Sequence, residues 1–200
     1  MNGDASGVTK PSNWNAPNII TGVRILAMPF FLWMLLAWPD HVGMRWGATV
    51  FFVVAIATDA LDGYLARSRG LITDLGKLLD PIADKALTGA ALVGLAIILE
   101  LPWWVVIIVL VREIGVTIHR LMIASDVVVA AAWMGKLKTV VQSVAITLAL
   151  MPLAHFPGVV GIVFTWVNIV TMSAAVVLTI LSGIDYVASF MKSRKAAGRG

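Results

Sequence analysis

Four aspartates interrupt otherwise apolar stretches of this chain: Asp59 and Asp62, then Asp80 and Asp84. A spacing of three sets the first pair about 60° apart on a helix, and a spacing of four keeps the second pair on one side of theirs. Each pair can therefore converge on a single object. An ionised carboxylate at the centre of a membrane helix costs about 2.5–3.5 kcal/mol, and four like charges repel further. Three things could compensate: protonation, pairing with Arg67, Arg69, Lys77 and Lys85, or divalent cations in a wet cavity. Buried ion pairs seldom stabilise on balance. An oxygen-only donor set, in a chain with no cysteine and with the nearest histidine, His119, far away, suits a hard cation such as Mg²⁺ or Mn²⁺ rather than zinc. Mg²⁺ usually sits between carboxylates and a substrate's phosphates, so the acids point to a phosphate-bearing ligand.

The elements that must position these acids are membrane helices. Of 200 residues, 60% are hydrophobic and 13% charged, and the mean hydropathy is +0.92, whereas soluble domains run nearer half apolar and a quarter charged. An ordinary soluble domain and a nucleic-acid-binding tail are excluded. The absence of cysteine removes disulfides and thiolate chemistry. Apolar runs able to cross about 30 Å of hydrocarbon lie at 19–38, 47–64, 78–99, 103–123, 140–153 (extended on its cytosolic side) and 159–190. We expect an all-α, polytopic membrane domain of six transmembrane helices over residues 18–191, between a loose polar tail, 1–17, and a basic cytosolic tail, 192–200.

Charge placement orients the bundle. Lys10, Arg24, Arg67, Arg69, Lys77, Lys85, Arg120, Lys136, Lys138 and the lysines and arginines from Lys192 onward flank one side, and only Arg45 lies near the other. Both termini are expected in the cytosol, with Trp38, Trp46, Trp103 and Trp104 at the outer interface. A rise of about 1.5 Å per residue from Arg67 and Lys77 puts the four acids roughly 5–12 Å inside the cytosolic boundary, at matching depth. This implies a site in the plasma or inner membrane that faces the cytosol.

Read in full, Asp59-x2-Asp62-Gly63-x2-Ala66-Arg67-x8-Gly76-x3-Asp80-x3-Asp84 fixes eight positions, and chance odds at average residue usage are about 10⁻⁹ per starting position. The pattern resembles the signature of the CDP-alcohol phosphotransferase family, integral membrane enzymes that join a CDP-activated lipid to an alcohol and release CMP. The resemblance implies that Asp59, Asp62 and Asp80 hold a two-metal centre gripping the donor's pyrophosphate. Asp84 would be the catalytic general base and could share a metal. It further implies donor contacts at Asn18, Thr21, Asp62, Gly63, Ala66, Arg67, Thr73 and Gly76, although Gly76 reads equally as a turn before the third helix.

Three further segments resemble the branch of that family whose acceptor is sn-glycerol 3-phosphate: Asn15 to Arg24 with Pro29 following, Arg112-Glu113-Ile114, and Gly135 to Gln142. Ala16 departs from the pattern by separating Asn15 from Pro17. A small dianion needs fixed cations. The candidates are Arg112, Arg120, Lys136 and Lys138, of which the two lysines also read as interfacial anchors and Arg112 as a partner of Glu113 or a motif aspartate. The implied partners are CDP-diacylglycerol, sn-glycerol 3-phosphate, the lipid bilayer and a second copy of the chain in a homodimer, with no nucleic acid. Shared machinery leaves phosphatidylinositol-phosphate, cardiolipin and phosphatidylserine synthesis as alternative readings. Intramembrane acids also serve cation-coupled transporters, which have no need of Gly63, Ala66 and Arg67 at these offsets.

Overall fold

The computed structural model describes residues 15–68, 73–122 and 132–197. They form six helices, α1 (Ala16–Ala37), α2 (Val42–Ser68), α3 (Asp74–Ile97), α4 (Trp103–Met122), α5 (Ala132–Leu150) and α6 (Val159–Ala197), with a 3-10 turn (Pro152–His155) before α6. Among the described residues there is no strand.

Local chemistry sets the helix ends. The Asn15 side chain accepts a hydrogen bond from the backbone N–H of Asn18 at 3.0 Å, and Pro17 in the first turn has no N–H to leave unpaired. Ala16 is thus the first residue of α1, and the helix starts ahead of the apolar run. Gly76 lies within α3 rather than in a turn before it, since the helix already starts at Asp74. α6 continues past Phe190 into the basic end of the chain. At 39 residues it is roughly 58 Å long, well beyond the hydrocarbon thickness.

α1 packs on both α2 and α3, α5 packs on α6, α4 joins α3 to α6, and α5 returns onto α2 and α3. Phe31, Leu35, Phe52, Leu92, Leu95, Val106, Ile146 and Leu150 form the core. Gly94 lets α1 approach α3, because a Cβ there would stand 2.6 Å from Leu35 Cδ2. The exterior is apolar, with Leu26, Val111, Trp166 and Val170 exposed, while Thr21, Arg24, Arg45, Glu113 and Lys138 are buried. Polar groups inside and apolar groups outside are what a bundle surrounded by lipid requires. Among the described residues α1, α2, α5 with its following turn, and α6 are long and apolar enough to cross a membrane.

Candidate active site

Asn18, Thr21 and Arg24 recur every three residues and so form one stripe along the first half of α1. That stripe meets both motif-bearing helices. Asn18 Nδ2 donates to Thr73 Oγ1 at 2.9 Å, just ahead of α3, Thr21 is buried, and Arg24 Nη1 forms an ion pair with Asp59 Oδ1 on α2. The Arg24 side chain is 3% exposed and that of Asp59 37%, so the arginine holds the carboxylate from its buried side. Among the described residues α1 is the helix packed most extensively against both α2 and α3.

A second group forms around Glu113, a buried acid in the middle of α4. Its carboxylate accepts from Lys85 Nζ of α3 and from Lys138 Nζ of α5, and Arg112 Nη1 lies 3.8 Å from the same Oε2 that Lys85 engages. Lys85 Nζ is also 3.6 Å from Asp84 Oδ2. Lys85 therefore links the last motif aspartate to three helices' worth of charge. Lys138 is fully buried. One turn further along α5, on the same face, Gln142 is buried, and its Oε1 has no hydrogen-bond partner among the described residues.

The structure brings together Asn18 with Thr73, Arg24 with Asp59, Asp84 with Lys85, and Arg112 with Lys138 through Glu113. It does not bring Lys136 to that cluster. Two residues from Lys138, about 200° around the helix, Lys136 is exposed. Asp62, Gly63, Ala66 and Arg67 lie on α2, Gly76 and Asp80 on α3 and Arg120 on α4, with side chains outside the described set, as is Arg69 altogether. Sequence reasoning did not foresee the contacts of Arg24 with Asp59 or of Lys85 and Lys138 with Glu113. The available signals were a lysine directly after the last motif acid and a lone glutamate in an apolar helix.

The family model for CDP-alcohol phosphatidyltransferases matches residues 14–181. The chain belongs to this family. Among similar CDP-alcohol phosphatidyltransferases, a protein of Mycobacterium tuberculosis (strain H37Rv) named probable phosphatidylglycerophosphate synthase is 43% identical over 179 residues, 89% of this chain and 82% of the relative. A Bacillus subtilis (strain 168) protein named CDP-diacylglycerol--glycerol-3-phosphate 3-phosphatidyltransferase is 37% identical over 184 residues, covering 86% of this chain and 93% of its own. A Cereibacter sphaeroides protein of the same name is 34% identical over 164 residues, 77% of this chain and 72% of the relative.

The donor set of this CDP-alcohol phosphatidyltransferase fits the divalent metal its signature implies. Asp59 and Asp84 offer carboxylate oxygens, and each side chain is 37% exposed. No cysteine competes for a softer ion. Among the described residues no three His, Asp or Glu side chains that could hold a metal come together; the side chains of Asp62 and Asp80 are outside those residues.

Proposed function

We propose that the protein transfers the phosphatidyl group of CDP-diacylglycerol to sn-glycerol 3-phosphate, giving phosphatidylglycerophosphate and CMP. The observation that carries this reading is the run of contacts from Asp84 through Lys85 to Glu113, Arg112 and Lys138. Cationic side chains next to the aspartate that the family pattern marks as the base support this reading, as do relatives named for phosphatidylglycerophosphate synthesis or glycerol-3-phosphate phosphatidyltransfer, which match most of the chain.

In this reading Asp59, Asp62 and Asp80, joined by Asp84, hold Mg²⁺ or Mn²⁺. When bound, the metal neutralises charge on the donor's pyrophosphate. Arg24 fixes Asp59, and the Asn18–Thr73 bond holds α1 against the start of α3 beside the donor's nucleotide. Gly63, Ala66 and Gly76 leave room for that nucleotide, and Arg67 contacts it. Arg112 and Lys138, with Arg120, hold the acceptor's phosphate, whereas Lys136 on the exposed face of α5 acts as an interfacial anchor. The acceptor's primary hydroxyl attacks the lipid-side phosphorus, the bond from that phosphorus to the bridging oxygen breaks, CMP departs with the electron pair, and the hydroxyl proton passes to Asp84. In the same reading all six helices span the plasma or inner membrane with both termini and the site in the cytosol, and the protein is a homodimer.

The test is CMP release by purified protein from CDP-diacylglycerol after stripping with EDTA. We expect release only when Mg²⁺ or Mn²⁺ and sn-glycerol 3-phosphate are both restored. Release that is indifferent to the metal would overturn the reading.

A further inference from the structure

A groove of about 840 Å³ runs along the outside of the bundle between α4 and α6. Val111 and Gly115 line it on one helix, and Ile184, Val187, Phe190 and Met191 on the other. On α6 it extends from Thr179 to Met191, which at about 1.5 Å per residue is roughly 18 Å, close to half of a hydrocarbon core about 30 Å thick. Val111, Ile184 and Val187 are exposed, so the groove is continuous with the apolar exterior that meets lipid. Gly115 keeps the α4 wall open, because a Cβ there would meet nothing within 4 Å. Aliphatic side chains dominate the lining and give water few partners, so hydrocarbon is the occupant that fits. The donor contacts implied by the family pattern come from α1, α2, α3 and Thr73 ahead of α3, none of which lines the groove.

The end of the groove adds charge. The apolar span of α6 closes at Met191, and the helix runs on to Ala197 through Lys192, Arg194 and Lys195. Arg194 and Lys195 each stand four residues beyond a groove residue, Phe190 and Met191, so the helical period puts them on the face of α6 that borders the groove. We propose that the α4–α6 groove is a binding site for an anionic phospholipid of the bilayer, distinct from both substrates, with one acyl chain in the groove and the phosphate at the basic end of α6. Basic residues just outside a span are attracted to the anionic cytoplasmic leaflet. A slot for the chain on the same helix face turns that general attraction into a defined site. The inference rests on the reading that puts the end of the chain in the cytosol, and it holds whichever acceptor the enzyme uses.

The experiment is native mass spectrometry of the purified full-length protein in detergent, titrated with dioleoyl phosphatidylserine or dioleoyl phosphatidylcholine. The wild type should retain the anionic lipid at roughly tenfold lower concentration than the zwitterionic one. Gly115→Phe, which fills the groove, should weaken retention of both lipids at least fivefold. The double variant Arg194→Gln, Lys195→Gln should lose the preference and keep its retention of phosphatidylcholine. If Gly115→Phe yields no folded protein, the double variant decides alone. Equal retention of the two lipids by the wild type would overturn the inference, as would normal retention of both by Gly115→Phe or an intact preference in the double variant. A change in the number of protomers in Gly115→Phe would give the groove to a second copy of the chain, and a rise of more than twofold in its KM for CDP-diacylglycerol would give it to the donor; either result would overturn the inference. Retention is read without turnover, so failure of the proposed reaction would leave the lipid site standing.

Discussion

Two buried ion clusters lie in opposite halves of the bundle, and they are built on opposite principles. At the end where α2 begins and α5 stops, Arg45 is almost fully buried. It grips Glu100 through both terminal nitrogens and donates to the carbonyls of Leu150 and Ala149 at 3.1 and 2.9 Å. One positive charge meets one negative, and the otherwise unpaired last carbonyls of α5 are satisfied. In the other half Glu113 meets three cations. The lesson is that burial of charge does not by itself mark a site. One cluster fastens a helix end through a one-to-one ion pair, whereas the other draws cations from three helices to a single carboxylate next to a motif aspartate.

The largest effect should fall on the motif side. Asp84→Asn should lower kcat about 10²–10⁴-fold, the range expected for loss of a general base, while metal-dependent donor binding survives; near-normal turnover would free Asp84 from that role. Arg45→Ala should instead cost about 1–3 kcal/mol of stability, since it removes the buried guanidinium that satisfies the last carbonyls of α5 and pairs with Glu100. Unfolding of the detergent-solubilised protein would register this, and the acceptor KM should stay within twofold. Were Arg45→Ala to raise that KM instead, the division between the clusters would be wrong. Arg112→Ala should raise the acceptor KM about tenfold, about 1.4 kcal/mol of binding, with little change in unfolding; the reverse pattern would make Arg112 structural. The smallest effect belongs to the turn that carries Glu100. Leu99 adopts a left-handed conformation with φ of 64°, and the Glu100 N–H donates back to the Leu95 carbonyl at 2.9 Å, closing the end of α3 as glycine-terminated helices do. Leu99→Gly should therefore stabilise the protein by about 1 kcal/mol without touching turnover.

The helices were legible because long apolar runs are bounded by polar or turn-forming residues, so the runs that begin at Trp103 and Val159 start where α4 and α6 start. The aspartate spacing was legible because the helical period converts offsets of three and four into shared faces. What escaped was pairing. Lys85 and Lys138 stand 28 and 25 residues from Glu113 in the chain, and no local period connects them. Arg45 read as a stray boundary charge because its partners, Glu100 and the end of α5, are as much as 105 residues away. Lys136 and Lys138 read alike as neighbouring basic residues, and only the phase of α5 relative to α4 separates the buried one from the exposed one.

The most direct measurement is a competition among acceptors. Protein supplied with Mg²⁺ and CDP-diacylglycerol is offered equal amounts of sn-glycerol 3-phosphate, inositol phosphate, serine and phosphatidylglycerol, and the lipid formed is identified by mass spectrometry. We expect phosphatidylglycerophosphate as the dominant product. A product built on any of the other three would contradict sn-glycerol 3-phosphate as the acceptor.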